Sequence, residues 1–291
     1  MIQNAICCLF AALLVVACSP SEELEHSTTT EEVPTENPIC FNHSLLVLDS
    51  ATYFAAVNSE FLHEFAFAEE RQLEGYKGFY LFGQTNYIEL FHPNSFEGNV
   101  EAVGGMWVCH ASLKAHHLEQ LNRTTDDCID FESDELFQYY SLVLNDSVEP
   151  IISAWEMQPD FYESWTKKSY HDSLVFLPVD YNSPADTDSA AHYVMKDVSG
   201  IGLSVTPADS AKVVTYLQEI GYTSATAVNG QRRMSNNDQF IELQVSDSHH
   251  APTINCFYIE LNQTVEPANE VIGHSKLVCE RDQAIWYFGL E

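Results

Sequence analysis

His43 and Glu89 are the two residues whose types and settings suit chemistry. His43 stands in Phe41-Asn42-His43-Ser44-Leu45-Leu46-Val47-Leu48-Asp49, at the mouth of an apolar run, and Glu89 stands inside Tyr87-Ile88-Glu89-Leu90-Phe91. An imidazole and a carboxylate on neighbouring strands can hold one divalent metal, or serve as a base and its orienter. The plainer reading is a strand-end histidine bonded to a neighbour, with Glu89 on an exposed sheet face. The other polar candidates are weaker. In the adjacent pairs His116-His117 and His249-His250 the side chains diverge on a helix or strand, and both pairs read as surface features. His110 follows Cys109 with no partner at ligand spacing. Arg232-Arg233 could grip a carboxylate or phosphate, but reads first as a solvated loop pair.

The elements that must position these groups follow from periodicity. Residues 45–48 are continuously apolar, as in a strand buried on both faces. Asp49 or Ser50 can cap a following helix, whose stripe is Tyr53, Val57, Phe61 and Phe65. A turn at 75–78 leads to strands over 79–82 and 87–91. Phe79, Tyr80, Phe82, Tyr87 and Phe91 are core residues, and those facing a cleft would form an apolar ligand wall. A second unit has a strand over 103–109, a helix over 113–121, strands over 137–144 and 150–157, and a short helix over 160–168. Residues 181–189 read as a linker. A third unit opens with a strand over 200–205. Thr206 caps its helix, with Pro207 at the first position, Asp209 in the capping-box place and Gly221 at the end. Strands over 240–245 and 256–261 follow, and a last pair within 275–288 is anchored by Trp286. Strand, helix, strands therefore recurs three times, from near residues 43, 104 and 200. The sequence carries no Walker motif or nucleophile elbow.

Composition sets the surroundings. Lys and Arg total 12 against 43 acids, a formal charge of −31, which repels nucleic acid and anionic headgroups. The charge is spread along the chain and reads as a solvated face. Residues 6–17 are an apolar run of twelve, too short at about 1.5 Å per residue to cross roughly 30 Å of hydrocarbon. Residues 1–17 read as a signal peptide. Residues 18–38 read as a disordered acidic tether: between 19 and 38 stand six Glu, four Thr and three Pro, with almost nothing to bury. Of eight cysteines, Cys40, Cys109, Cys128, Cys256 and Cys279 belong to the body, none in a C-x-x-C pair. The compartment permits disulfides, and an odd number leaves at least one thiol unpaired.

Two resemblances sharpen this. Val15-Val16-Ala17-Cys18-Ser19 resembles the lipobox of bacterial lipoproteins. That implies acylation of Cys18, anchoring in the lipid bilayer and, with Ser19 after the cysteine, the outer membrane of the cell envelope. The phrase around His43, the strands at 78–82 and 87–91, the segment 200–221 and Phe240-Ile241-Glu242-Leu243 resemble glyoxalase-like, or vicinal oxygen chelate, domains. More closely, the chain is similar to uncharacterised bacterial lipoproteins of that kind. The resemblance implies an α+β fold of βαβββ modules, with mixed and antiparallel curled sheets and helices on the outer face. Modules one and two would occupy 39–180, a linker 181–195, and a third module with C-terminal strands 196–291. It also implies metal ligands at His43, Glu89 and Glu242. Gly104-Gly105 and Ser199-Gly200 stand where a second first-strand histidine would be.

The expectation is thus a lipid-anchored extracytoplasmic protein that binds a small ligand without turnover. A metal-dependent lyase, isomerase or dioxygenase, using a divalent metal, is the second reading. An envelope interaction protein is the third, and no nucleic acid is expected as a partner.

Overall fold

The computed structural model describes residues 37–73, 75–121, 129–144, 150–182, 184–226, 231–246 and 252–289. The apolar run 6–17, Cys18, nearly all of the tether, Cys128 and the His249-His250 pair lie outside the described residues.

Continuous burial along Ile39–Val47 makes β1 a strand covered on both faces. Asp49 accepts hydrogen bonds from the Ala51 and Thr52 backbone and starts α1 (Ser50–Val57). The expected single helix is broken at Asn58. Ser59 caps a second helix, α2 (Glu60–Phe65), because a side-chain acceptor at 59 competes with helix continuation. Three strands follow, β2 (Phe67–Leu73), β3 (Tyr76–Phe82) and β4 (Tyr87–Phe96). The second unit contains β5 (Met106–Ser112), α3 (His117–Gln120), β6 (Ile129–Ser133), β7 (Phe137–Val143) and β8 (Pro150–Met157). Its helix is shorter than periodicity suggests, because Lys114 instead bridges to Val175.

These eight strands form one sheet in the order β2-β3-β4-β1-β5-β8-β7-β6. β1 runs parallel to β4, β5 runs parallel to β8, and β1 and β5 meet antiparallel at the centre. β2 and β6 are the edges. The charged residues Glu69, Glu70 and Arg71 in β2, and the Asp130 and Glu132 of β6, suit strands with one unpaired side.

Next come α4 (Pro159–Thr166), a 3-10 turn (Pro178–Tyr181) and α5 (Pro184–Ala190). The stretch 181–189, expected as a linker, therefore carries a helix. It is anchored by Asp186, whose Oδ1 lies 2.8 Å from Arg71 Nη2. The second sheet holds β9 (Met195–Val205), β10 (Thr223–Thr226), β11 (Arg232–Asn236), β12 (Gln239–Val245), β13 (Thr253–Ile272) and β14 (Ser275–Tyr287). Its order is β10-β11-β12-β9-β13-β14, with β9 parallel to β12. Between β9 and β10 lies α6 (Pro207–Glu219), capped by Thr206 as expected and followed by Gly221 at φ +93°. Trp286 Nε1 donates to Ser275 Oγ at 2.9 Å and locks the last hairpin.

The helix-bearing faces of both sheets share one core. Leu46, Ile88 and Leu90 meet it from the first sheet, and Ile201, Leu203 and Leu217 from the second unit. Polar seams tie the halves together. Thr85 and Asn86 donate their backbone N–H groups to Asp197 Oδ1 at 2.7 and 3.2 Å. Asn86 also exchanges two hydrogen bonds with the Val198 backbone. At the start of β1, Phe41 N donates to Gln239 Oε1 at 2.6 Å, and Asn236 Nδ2 donates to Ile39 O at 2.5 Å.

Candidate functional site

A one-residue irregularity decides which way His43 points. The β1–β5 register shifts between Phe41 and His43. A slip of one residue in a strand turns the following side chains to the other face. Phe41 therefore joins the core shared by the sheets, while Leu45 and Val47 join a second cluster on the opposite face. His43 sits on that opposite face, stacked on Tyr87 at 4.8 Å and edge-on to Trp155 at 5.0 Å. Glu89 of β4 is paired with Leu45, so it lies diagonally across from His43 on the same face. His43 Nε2 and Glu89 Oε1 are 3.9 Å apart, and each residue is only 4% exposed. The two side chains singled out in the sequence do converge.

They converge in a dry place. Tyr80, Phe82, Tyr87, Phe91, Trp107 and Trp155 share this cluster; Phe79 faces the other core. The connecting segment covers it with Phe161, Tyr162, Phe176 and Tyr181. Tyr181 Oη is hydrogen-bonded to the Ser112 carbonyl at 2.5 Å. Asn42 Nδ2 reaches Asn182 Oδ1 at 3.2 Å, so the cover is fastened one residue from His43.

Burial sets the charge states. It pushes the Glu89 carboxyl up to about 8, with Arg71 and a Tyr87 hydrogen bond pulling the other way. It also pulls the His43 imidazole down to about 3, helped by His110. At neutral pH the pair is therefore a carboxylic acid beside a neutral imidazole, not an ion pair. Asn42 Oδ1, an acceptor, lies 2.7 Å from His43 Nδ1. Nδ1 thus carries the proton, and Nε2 presents its lone pair toward Glu89.

Two donors at this spacing could share an ion, but a catalytic centre needs three protein ligands and an open position. Among the described residues no group of three His, Cys, Asp or Glu side chains is placed to hold a metal. The flanks of His43 are taken by rings. The residues present do not fit a divalent centre.

Glu242, the third expected ligand, stands on the other sheet. It receives Arg233 Nη2 at 2.7 Å and Tyr258 Oη at 2.6 Å. Registers explain what happened there. Glu242 pairs with Gly202 as Glu89 pairs with Leu45, so Gly200, opposite Phe240, holds the place that His43 holds opposite Tyr87. A Cβ at Gly200 would come within 2.4 Å of the Phe240 ring. A histidine cannot enter while that ring lies on the backbone. Arg233 covers Phe240 at 3.9 Å and stands in strand β11, so the Arg233 of the sequence pair is held against a ring and a carboxylate while its side chain stays 40% exposed.

The remaining candidates are structural. His110 lies on the far face and meets Tyr222 Oη at 2.9 Å. The His116-His117 pair is half-buried. Its backbone N–H groups, with that of Leu118, donate to the buried Glu156. Cys40, Cys109, Cys256 and Cys279 are buried free thiols. Arg71, Asn42, Trp155 and Glu156 went unnoticed in the sequence. Only Asn42 left a signal there, as the amide directly beside a strand-end histidine.

Two curled mixed sheets with few helices define a mixed α+β protein. The chain belongs to the DUF5829 family, a family of unknown function, whose model matches residues 41–288. No curated protein sequence matches it significantly. Among solved structures it is similar to a hypothetical protein from Staphylococcus aureus, with 12% identity, TM-score 0.41, 80% of this chain and 96% of that one covered. It is also similar to a xylose isomerase-like TIM barrel/4-hydroxyphenylpyruvate dioxygenase fusion protein, with 12% identity and TM-score 0.46, covering 80% of this chain and 38% of that one. An extradiol ring-cleaving dioxygenase from B. fuscum matches at 9% identity and TM-score 0.39, over 87% of this chain and 73% of that one.

Proposed function

We propose that this chain is a lipid-anchored protein of the bacterial envelope, acylated at Cys18, whose glyoxalase-like body binds a small ligand without turning it over. The observation that carries the non-catalytic reading is the His43–Glu89 pair: 3.9 Å apart, each 4% exposed, uncharged at neutral pH and enclosed by rings. The strand orders support the modular reading. Three times a strand and helix are followed by three strands, the last parallel to the first. In the third instance the β13–β14 hairpin lies where a partner module would pair. The anchor rests on the apolar run and the residues around Cys18.

The converging pair is also what a metal-dependent reading would need, so metal content separates the two. The purified protein and its His43→Ala variant are assayed for bound divalent ions, and for thermal shifts on adding Ni²⁺, Zn²⁺, Mn²⁺ or Fe²⁺. We expect no stoichiometric metal and no shift that depends on His43. One equivalent of metal in the wild type, lost in the variant, would overturn the non-catalytic reading and restore the enzyme.

A further inference from the structure

The tip of the β13–β14 hairpin borders a pocket of about 140 Å³, open to solvent on one side, at the end of β1. Leu46, Leu48, Ile254 and Phe288 give it an apolar wall, and Asp49 and His274 stand among its lining polar groups. The tip is seated closely. Gly273 has φ +60°, and a Cβ there would lie 2.4 Å from Thr52 Cα. The His274 backbone N–H donates to Thr52 Oγ1 at 2.9 Å. His274 Nδ1 lies 3.2 Å from Asp49 Oδ1, a carboxylate oxygen that also caps α1. A carboxylate only accepts, so Nδ1 carries a proton toward Asp49, and Nε2 is the ring nitrogen left to meet a ligand.

A cavity of about 150 Å³ lined by Leu, Ile and Phe takes up one benzene ring. This pocket is of that size and shares that apolar wall, but it is joined by polar groups, Asp49, Thr52, Thr253, Asn255, His274 and Ser275, so it suits a ring that carries a polar group. We propose that it is a binding site for a single-ring phenol, the ring against Leu46, Leu48, Ile254 and Phe288 and the hydroxyl hydrogen-bonded to His274 Nε2. The site lies apart from His43 and Glu89. It rests on the reading of the body as a binding module and gives that module a place and a ligand class.

Calorimetric titration of the purified protein with phenol and, separately, with benzene tests this. Wild type should bind phenol saturably, at least tenfold tighter than benzene. Val103, which also lines the cavity, is 60% exposed, so Val103→Trp can obstruct the space from its outer side without entering the core. It should abolish binding of both while melting like the wild type. His274→Ala should keep benzene binding and lose the preference for phenol. Absence of saturable phenol binding, binding that survives Val103→Trp, or a phenol preference that survives His274→Ala overturns the proposal. None of these outcomes bears on metal at His43 and Glu89, so the two readings fail separately.

Discussion

Replacing Glu89 by Gln tests the buried acid directly. Glu89 titrates near 8 in the folded chain against 4.5 for the ordinary group. Between those values the folded state keeps a proton that the unfolded state has released. The carboxyl therefore contributes stability fully below pH 4.5 and loses it as pH rises through about 8. The slope is about 1.4 kcal/mol per pH unit, so from about pH 5 to about 7.5 the loss is roughly 3 kcal/mol. His43, whose folded value is about 3 against 6.5, works in the opposite sense: its contribution is full above 6.5 and fades as pH falls through 3. The two slopes cancel in part under mildly acidic conditions, so wild type alone is ambiguous. The difference between Glu89→Gln and wild type removes every shared group. Glutamine matches the shape of the protonated acid and does not titrate. Urea unfolding across this range should show the variant gaining on wild type by roughly 3 kcal/mol, or roughly 6–12 °C in melting midpoint for a chain of this size. A difference that stays constant from pH 5 to 8 would refute the neutral, buried carboxyl and return Glu89 to the pool of available metal ligands.

Arg71 is the second lever. It pairs with Asp186 and Glu69 and lies over the Phe82 ring at 4.6 Å. Arg71→Met keeps the packing but removes the cation that faces the nearly buried Asp186, and should lower stability by about 3 kcal/mol in urea titration; adding Asp186→Asn should recover part of that. For the anchor, Cys18→Ser should move the protein from the detergent phase to the aqueous phase in Triton X-114 partition, and an unchanged detergent-phase fraction would count against acylation there.

Much of the architecture was readable because apolar runs and helix caps act locally. β1, β12 and the capped helix after Thr206 fall where periodicity put them. The edge strands did not announce themselves. Phe67–Leu73 and Ile129–Ser133 carry charges and alternate poorly, since an edge needs only one paired side. The break at Asn58-Ser59 was hidden beneath a four-residue apolar rhythm that continues across it. For the site, the pairing of His43 with Glu89 was legible from strand placement. Its dryness was not, because the cover comes from residues 161–181 and the orienting turn of β1 is a single extra residue. Glu242 failed as a ligand for a reason visible only in three dimensions: Phe240 lies on Gly200, and Arg233 and Tyr258 already hold the carboxylate.

The seam at the start of β1 dictates an order of events. Ile39 and Phe41 find their hydrogen-bond partners at Asn236 and Gln239, 197 and 198 residues further on. The first body strand off the ribosome pairs early with β4 and β5, but its seam to the second sheet waits until residues 236–239 have been made. Until then the face of the first sheet that joins the shared core stays uncovered, and closing so long a loop is slow. Maturation of this chain should depend on a holding chaperone, and a stop codon placed before residue 236 should yield aggregate and not a smaller folded piece.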